Sequence, residues 1–203
     1  AAGTTRARTH EVVTSIRAKT GTPAAAHLTC IGATREEIDA IAKDYWDSGI
    51  RHIVALRGDP PKGQQYVPVK GGYQYASDLV AGLKKIAPFE VSVAGYPETH
   101  PEAVNAKEDM VHLKKKVDAG ADRVISQFFM VPESFLSFRD RAVSAGINVP
   151  IVPGILSITN YAKAVEFSAS CGAKVPEWMT VLFEGLDDQP KTRQLVAATV
   201  AAE

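Results

Sequence analysis

His52-Ile53-Val54-Ala55-Leu56 runs straight into Arg57-Gly58-Asp59, and this stretch decides the fold. The run is apolar and β-branched, too short for a helix, and lacks the in-out alternation of a half-buried strand. A continuous run of this kind fits a strand covered on both faces, as in a parallel sheet. Four further runs read as strands: Ala26–Cys30, Val91–Tyr96, Arg123–Phe129 and Pro150–Ile155.

Helix-period segments lie between the strands. Thr34-Arg35-Glu36-Glu37 is a capping-box signature leading into Ile38, Ile41, Ala42 and Tyr45. Glu102–Ala119 and Pro132–Ala145 read as helices stopped by Gly120 and Gly146, and Thr159–Ser170, Pro176–Leu186 and Gln189–Ala202 follow the last strand. The chain also opens into a helix-like segment. The Gly- and Pro-containing stretch Pro60–Tyr73 is the one long loop, a feature that in compact domains is usually functional or mobile.

Strands alternating with helices imply an α/β fold with a parallel sheet. Strand spacings of roughly 25–40 residues suit a (β/α)8 TIM barrel, with an open doubly wound sheet as the rival. No glycine-rich dinucleotide or P-loop fingerprint follows any strand. Polar residues instead gather at the strands' carboxyl ends, where a barrel carries its active face. About five parallel strands are present where a barrel needs eight, so one barrel domain over 1–203, present only in part, is expected.

The chain has 203 residues, with 23 Lys and Arg against 23 Asp and Glu. That balance argues against a nucleic-acid partner or a membrane surface. No apolar run approaches the roughly 20 residues that span a bilayer, and no signal-peptide pattern is present. Two cysteines, Cys30 and Cys171, make no disulfide framework, so a cytoplasmic location with both reduced is expected. His27 and Cys30 have no clustered partners among His10, His52, His100 and His112, so no metal is expected.

In chain order the strand ends carry His27 with Thr29, Arg57-Gly58-Asp59, Tyr96-Pro97-Glu98-Thr99-His100, Gln127 and Pro153-Gly154. In a closed barrel these would share one mouth. A Gly before an Asp lets a ligand ring approach the backbone, and an ionised carboxylate there can steer developing positive charge. Each residue also has an ordinary reading. His27 could be a core histidine, Lys114-Lys115-Lys116 a solvated helix face, and Tyr96 and Pro97 simple turn chemistry.

Taken together, these motifs closely resemble the methylenetetrahydrofolate reductase family. The resemblance runs through His27-Leu28-Thr29-Cys30, Gly49 to Asp59, Tyr75-Ala76-Ser77-Asp78-Leu79-Val80, Tyr96-Pro97-Glu98 and His100-Pro101-Glu102-Ala103. It continues through Lys116 to Asp122, Gln127-Phe128-Phe129, Pro153-Gly154-Ile155-Leu156 and Gly185-Leu186-Asp187-Asp188. It implies a barrel binding FAD, with NADH or NADPH reducing the flavin and methylenetetrahydrofolate then reduced to methyltetrahydrofolate in a ping-pong reaction that serves methionine supply. The flavin carries the hydride chemistry. It also implies small-molecule partners, folate and a nicotinamide cofactor, a homo-oligomer, and a catalytic domain whose missing strands lie at both ends.

Carried over by position, the resemblance assigns cofactor contacts to His27, Arg57, Gly58, Asp59, Tyr75, Ala76, Tyr96 and His100. Asp109, His112, Lys115 and Lys116 are assigned to the cofactor's ribose and diphosphate. Asp59 and Gln127 are the implied catalytic residues. Asp59, Gln127, Lys163 and Phe167 are the implied substrate contacts, Phe167 by stacking. A carboxylate at Asp59 would favour an iminium-like folate cation.

Departures from the family pattern are specific. His112 stands where the family commonly has Asn, Lys163 where it has a folate-holding Gln, and Ser157 where a Pro usually follows Pro-Gly-Ile-Leu. The loop between Asp59 and Tyr75 is a few residues longer. The family's general-acid Glu, in a Glu-Phe-Phe-Pro run, does not occur in this sequence. Two other readings stay open here: a flavin-binding barrel module without catalysis, and a folate-dependent methyl or methylene transferase. Flavin content separates the transferase from the reductase.

Overall fold

The computed structural model describes residues 6–61 and 63–202. Five parallel strands alternate with helices in the order α1 (Arg6–Thr20), β1 (Ala25–Thr29), α2 (Arg35–Asp47), β2 (His52–Leu56), α3 (Ala76–Ile86), β3 (Glu90–Gly95), α4 (Ala106–Asp118), β4 (Arg123–Phe128), α5 (Pro132–Ser144), β5 (Ile151–Gly154), α6 (Tyr161–Cys171), α7 (Glu177–Phe183) and α8 (Pro190–Ala202). The sheet order is β1-β2-β3-β4-β5. The expected α/β class and the five strands are both present.

The chain divides into two compact units whose boundaries fall within β3, α4 and β4. The first runs through Ala94 and includes Leu113–Val124; the second holds Gly95–His112 and the chain from Ile125 onward.

In the first unit β1 pairs in parallel with β2, Ala25 opposite His52 and Thr29 opposite Leu56, and β2 pairs in parallel with β3, His52 opposite Glu90. Ala26, Ile53, Ala55, Val91 and Val93 are fully buried, as are Ile38 and Ala42 of α2 and Leu79, Val80 and Leu83 of α3. Helix α2 starts where its capping box requires: Glu37 N donates to Thr34 Oγ1 at 3.3 Å and Thr34 N to Glu37 Oε2 at 2.8 Å. Helix α3 is one that the periodicity reading leaves out. Asp78 caps it by accepting from the amides of Gln74 and Tyr75 through Oδ2, at 3.1 and 3.0 Å.

In the second unit β4 alternates, with Ser126 and Phe128 buried and Ile125 and Gln127 half-buried. β5 exposes Val152 and Pro153. The expected burial on both faces therefore holds for β2 and β3 but not for β1, β4 and β5, β1 exposing Ala25 and His27. β5 ends the sheet order. Where β5 meets β4, a Cβ on Gly154 would lie 2.3 Å from Ser126 O, and Gly154 N donates to Ser126 Oγ at 2.9 Å. Ile158, Ala164, Met179, Phe183 and Ala197 form a second cluster among α6, α7 and α8.

Helix α4 begins at Ala106 rather than Glu102. Asn105 Oδ1 accepts from the amides of Lys107 and Glu108 at 3.0 and 2.9 Å, so Asn105 acts as the cap and the residues before it form a turn. Helix α7 stops at Phe183, short of the expected Leu186, where Glu184 turns extended and Gly185 takes a positive φ.

Candidate functional site

In the first unit the β1–β2 ladder continues past both strand ends. Cys30 N donates to Leu56 O at 3.1 Å and Ile31 N to Arg57 O at 2.8 Å. Ile31 is thereby held beside Gly58. Gly58 has φ +87, and a Cβ there would stand 2.5 Å from Ile31 Cγ2 and 3.0 Å from Thr29 Cβ. The requirement for glycine thus arises within the chain itself, independent of any ligand ring.

Arg57 ties the β2 end to the long loop. Its Nε donates to Gly58 O at 3.1 Å, its Nη2 lies 3.6 Å from Asp59 Oδ1, and its guanidinium sits 4.6 Å from the centre of the Tyr66 ring. Tyr66 Oη in turn donates to Gln74 O at 2.5 Å, and its pKa is raised, chiefly by desolvation. Tyr66 carried no signal beyond being an aromatic residue in a polar loop. Asp59 leaves 89% of its side chain exposed, so its carboxylate is presented outward from the β2 end.

Tyr75 is 53% exposed at the start of α3, beside half-buried Ala76. His27 is exposed on β1, and such desolvation as it has lowers its pKa. The three lysines of α4 separate in role. Lys114 pairs with Asp118, Lys115 is exposed, and Lys116 turns back so that Nζ donates to Ala94 O at 2.5 Å.

In the second unit the segment after β3 brings Tyr96 and His100 together, ring centres 4.5 Å apart and near-perpendicular at 68°. His100 Nδ1 accepts from Glu102 N at 3.1 Å, so the neutral ring carries its proton on Nε2. His100 N donates to Asp109 Oδ2 at 3.0 Å, which commits one carboxylate oxygen of Asp109 to the loop. His112 is exposed on α4.

Gln127 is half-buried at the end of β4, its Oε1 accepting from Phe128 N at 3.1 Å. Phe167 stacks on Phe128, ring centres 5.3 Å apart and 23° from parallel, yet remains 47% exposed. Lys163 lies one turn earlier on α6, also exposed; Asn160 caps that helix by accepting from Lys163 N at 2.9 Å. Among the described residues no cluster of three or more His, Cys, Asp or Glu is placed to hold a metal ion, and no helix is long and apolar enough to cross a membrane.

The family profile described as methylenetetrahydrofolate reductase matches residues 1–203. The chain belongs to the methylenetetrahydrofolate reductase family. It is 54% identical over 198 residues to the 5,10-methylenetetrahydrofolate reductase of Salmonella typhimurium and 53% identical over 198 residues to that of Escherichia coli, covering 98% of this chain and 65% of each relative. The chain thus spans just under two thirds of those relatives' length. The methylenetetrahydrofolate reductase (NADH) 1 of Arabidopsis thaliana is 38% identical over 189 residues, 87% of this chain and 32% of that protein.

Solved structures share the fold at low identity. A phosphonopyruvate hydrolase with oxalate and magnesium superposes with a TM-score of 0.56 at 15% identity, covering 98% of this chain and 76% of its own. An uncharacterised Clostridium thermocellum protein that binds two copies of 5-methyl-5,6,7,8-tetrahydrofolic acid superposes at 0.53 with 16% identity, covering 92% and 63%.

Proposed function

We propose that this chain is the flavin-holding part of an oxidoreductase that uses NADH or NADPH to reduce methylenetetrahydrofolate to methyltetrahydrofolate. The observation that carries the reading is family membership across residues 1–203, with relatives named 5,10-methylenetetrahydrofolate reductase at more than half identity. The Arabidopsis relative's name favours NADH over NADPH. Catalysis in one barrel domain of a cytoplasmic homo-oligomer completes the proposal.

The side chains suit FAD by their chemistry. Tyr75 and Tyr96 offer aromatic faces, Lys115 and Lys116 offer ammonium groups of the kind that bind phosphate as point charges, and Asp59 offers an open carboxylate. When bound, FAD would supply hydride transfer in a ping-pong reaction. This chain's residues would bind and orient. Lys115 and Lys116, with Asp109 and His112, would hold the ribose and diphosphate side. His27, Arg57, Gly58, Ala76 and His100 would line the rest of the cofactor.

Asp59 would place negative charge where a folate cation develops. Gln127 would hold a substrate amide by hydrogen bonds, Phe167 would cover a substrate ring with its open face, and Lys163 would bring a cation where the family commonly has Gln.

The test is the colour of the purified protein. Yellow protein with oxidised-flavin absorbance, bleached by NADH and restored by methylenetetrahydrofolate, is expected. Protein that takes up no FAD overturns the reading. Bleaching without reoxidation by folate would support a flavin-binding module that lacks the second half-reaction.

A further inference from the structure

The segment that follows β3 has no regular structure, yet it carries the Tyr96–His100 ring pair. Two helices and a loop hold it. Pro97 O accepts from Arg141 Nη2 of α5 at 2.9 Å, and His100 N donates to Asp109 of α4. Glu98 reaches furthest: Oε1 accepts from Ser134 Oγ of α5 at 3.4 Å, and Oε2 accepts from Lys174 N, beyond the end of α6, at 2.8 Å. Thr99 Oγ1 donates to Glu98 O, and a Cβ on Gly172 would come within 3.3 Å of Thr99 O. Glu98 is half-buried, between the two residues whose rings form the pair.

We propose that Glu98 is a positioning residue, whose carboxylate bridges α5 and the chain after α6 and so fixes the segment that presents Tyr96 and His100 to the cofactor. The proposal rests on the flavin reading above. Glu98 acts through the two rings rather than by touching the cofactor. It sets the backbone on either side of its own Cα, and displacement of a binding group by about an ångström can cost up to roughly a hundredfold in function. The role needs two acceptor bonds rather than a charge. Glutamine can supply both, with its carbonyl accepting from Lys174 N and its amide donating to the Ser134 hydroxyl, which can accept. A residue acting through charge has no such substitute.

Glu98→Ala and Glu98→Gln therefore separate the two roles. In Glu98→Ala, amide hydrogen exchange at His100 and Glu102 is expected to speed about tenfold or more, FAD to bind about tenfold more weakly, and the visible circular dichroism of bound flavin to change. Glu98→Gln is expected to restore all three. A silent Glu98→Ala, or a Glu98→Gln as impaired as alanine, overturns the proposal. If Glu98→Ala does not fold, Glu98→Met keeps the volume without the acceptors and takes its place; loss of fold in both makes Glu98 a structural residue of the unit and also overturns it. Wild-type protein that binds no FAD sinks the flavin reading, while exchange at His100 and Glu102 still decides the positioning claim.

Discussion

The two ends of the strands in the first unit are built on opposite principles. At the amino ends, charged side chains bond to one another and to the backbone. Asp122 Oδ2 accepts from Val91 N at 2.7 Å and from Lys84 Nζ at 2.5 Å, Lys84 Nζ also donates to Phe89 O at 2.7 Å, and Arg123 pairs with Glu90. His52 Nε2 lies 2.7 Å from Ser92 Oγ, and Ser92 is fully buried. Toward the carboxyl side, His27 in the middle of β1, Asp59 after β2 and Tyr75 at the start of α3 are exposed, and Asp59 pairs with Arg57 at 3.6 Å. The amino ends invest polar groups in stability. At the carboxyl ends Arg57 is committed to Gly58, Asp59 and Tyr66, but the side chains of His27, Asp59 and Tyr75 stay exposed, as expected of the face where parallel α/β proteins bind ligands.

That contrast breaks first at Asp122. Asp122→Ala removes the acceptor of a partly buried amide and the partner of Lys84, and should cost about 2 kcal/mol of stability. Urea denaturation should show the loss, while affinity for FAD stays within about twofold. An equal loss of cofactor affinity would mean the two ends are not separable in role.

Asp59→Asn should do the reverse. The side chain is almost fully exposed, so stability should stay within about 0.5 kcal/mol of wild type. Reoxidation of reduced flavin by methylenetetrahydrofolate should slow by about tenfold, roughly 1.4 kcal/mol of barrier. Stopped-flow absorbance of the flavin separates this from the reduction by NADH. An unchanged reoxidation rate would remove Asp59 from the proposed substrate contacts.

How much could be read from sequence depends on the range of the interactions involved. Thr34 and Glu37 are three residues apart and satisfy each other, so the start of α2 was legible. The five strands were legible within a residue or two because each is a short run rich in apolar residues set between helix-period segments. The start of α4 was not, since proline and glutamate after His100 can open a helix, but Asn105 competes for the same amides and wins. Helix α3 comes directly after a loop with Gly71 and Gly72, and its cap is the acid inside its first turn rather than a Ser or Thr before it. At the site, residue identities were legible and their commitments were not. Lys116 bonds to Ala94, 22 residues earlier, and Glu98 bonds to Lys174, 76 residues later. No local pattern encodes either contact.

The smallest expected effect is a pH dependence at His52, an amino-end group. Desolvation is the largest influence on its ring and lowers its pKa below 6.5; Arg123 also lowers it, while Glu90 and Asp122 oppose the shift. Between the folded value and 6.5 the unfolded chain binds more proton than the folded one, so unfolding is favoured as protons are added. The stability contributed by the neutral ring is present in full above 6.5. It is lost as pH falls through 6.5 toward the folded value, and no more is lost below that. His52→Gln keeps a group able to bond Ser92 and does not titrate. Stability of wild type minus that of the variant, from urea unfolding at about pH 8 and about pH 5, should therefore fall with pH. A difference that stays flat would show that burial leaves the ring's pKa where it is in the unfolded chain, and one that grows in acid would show that His52 holds Ser92 as a charged imidazolium rather than as a neutral imidazole.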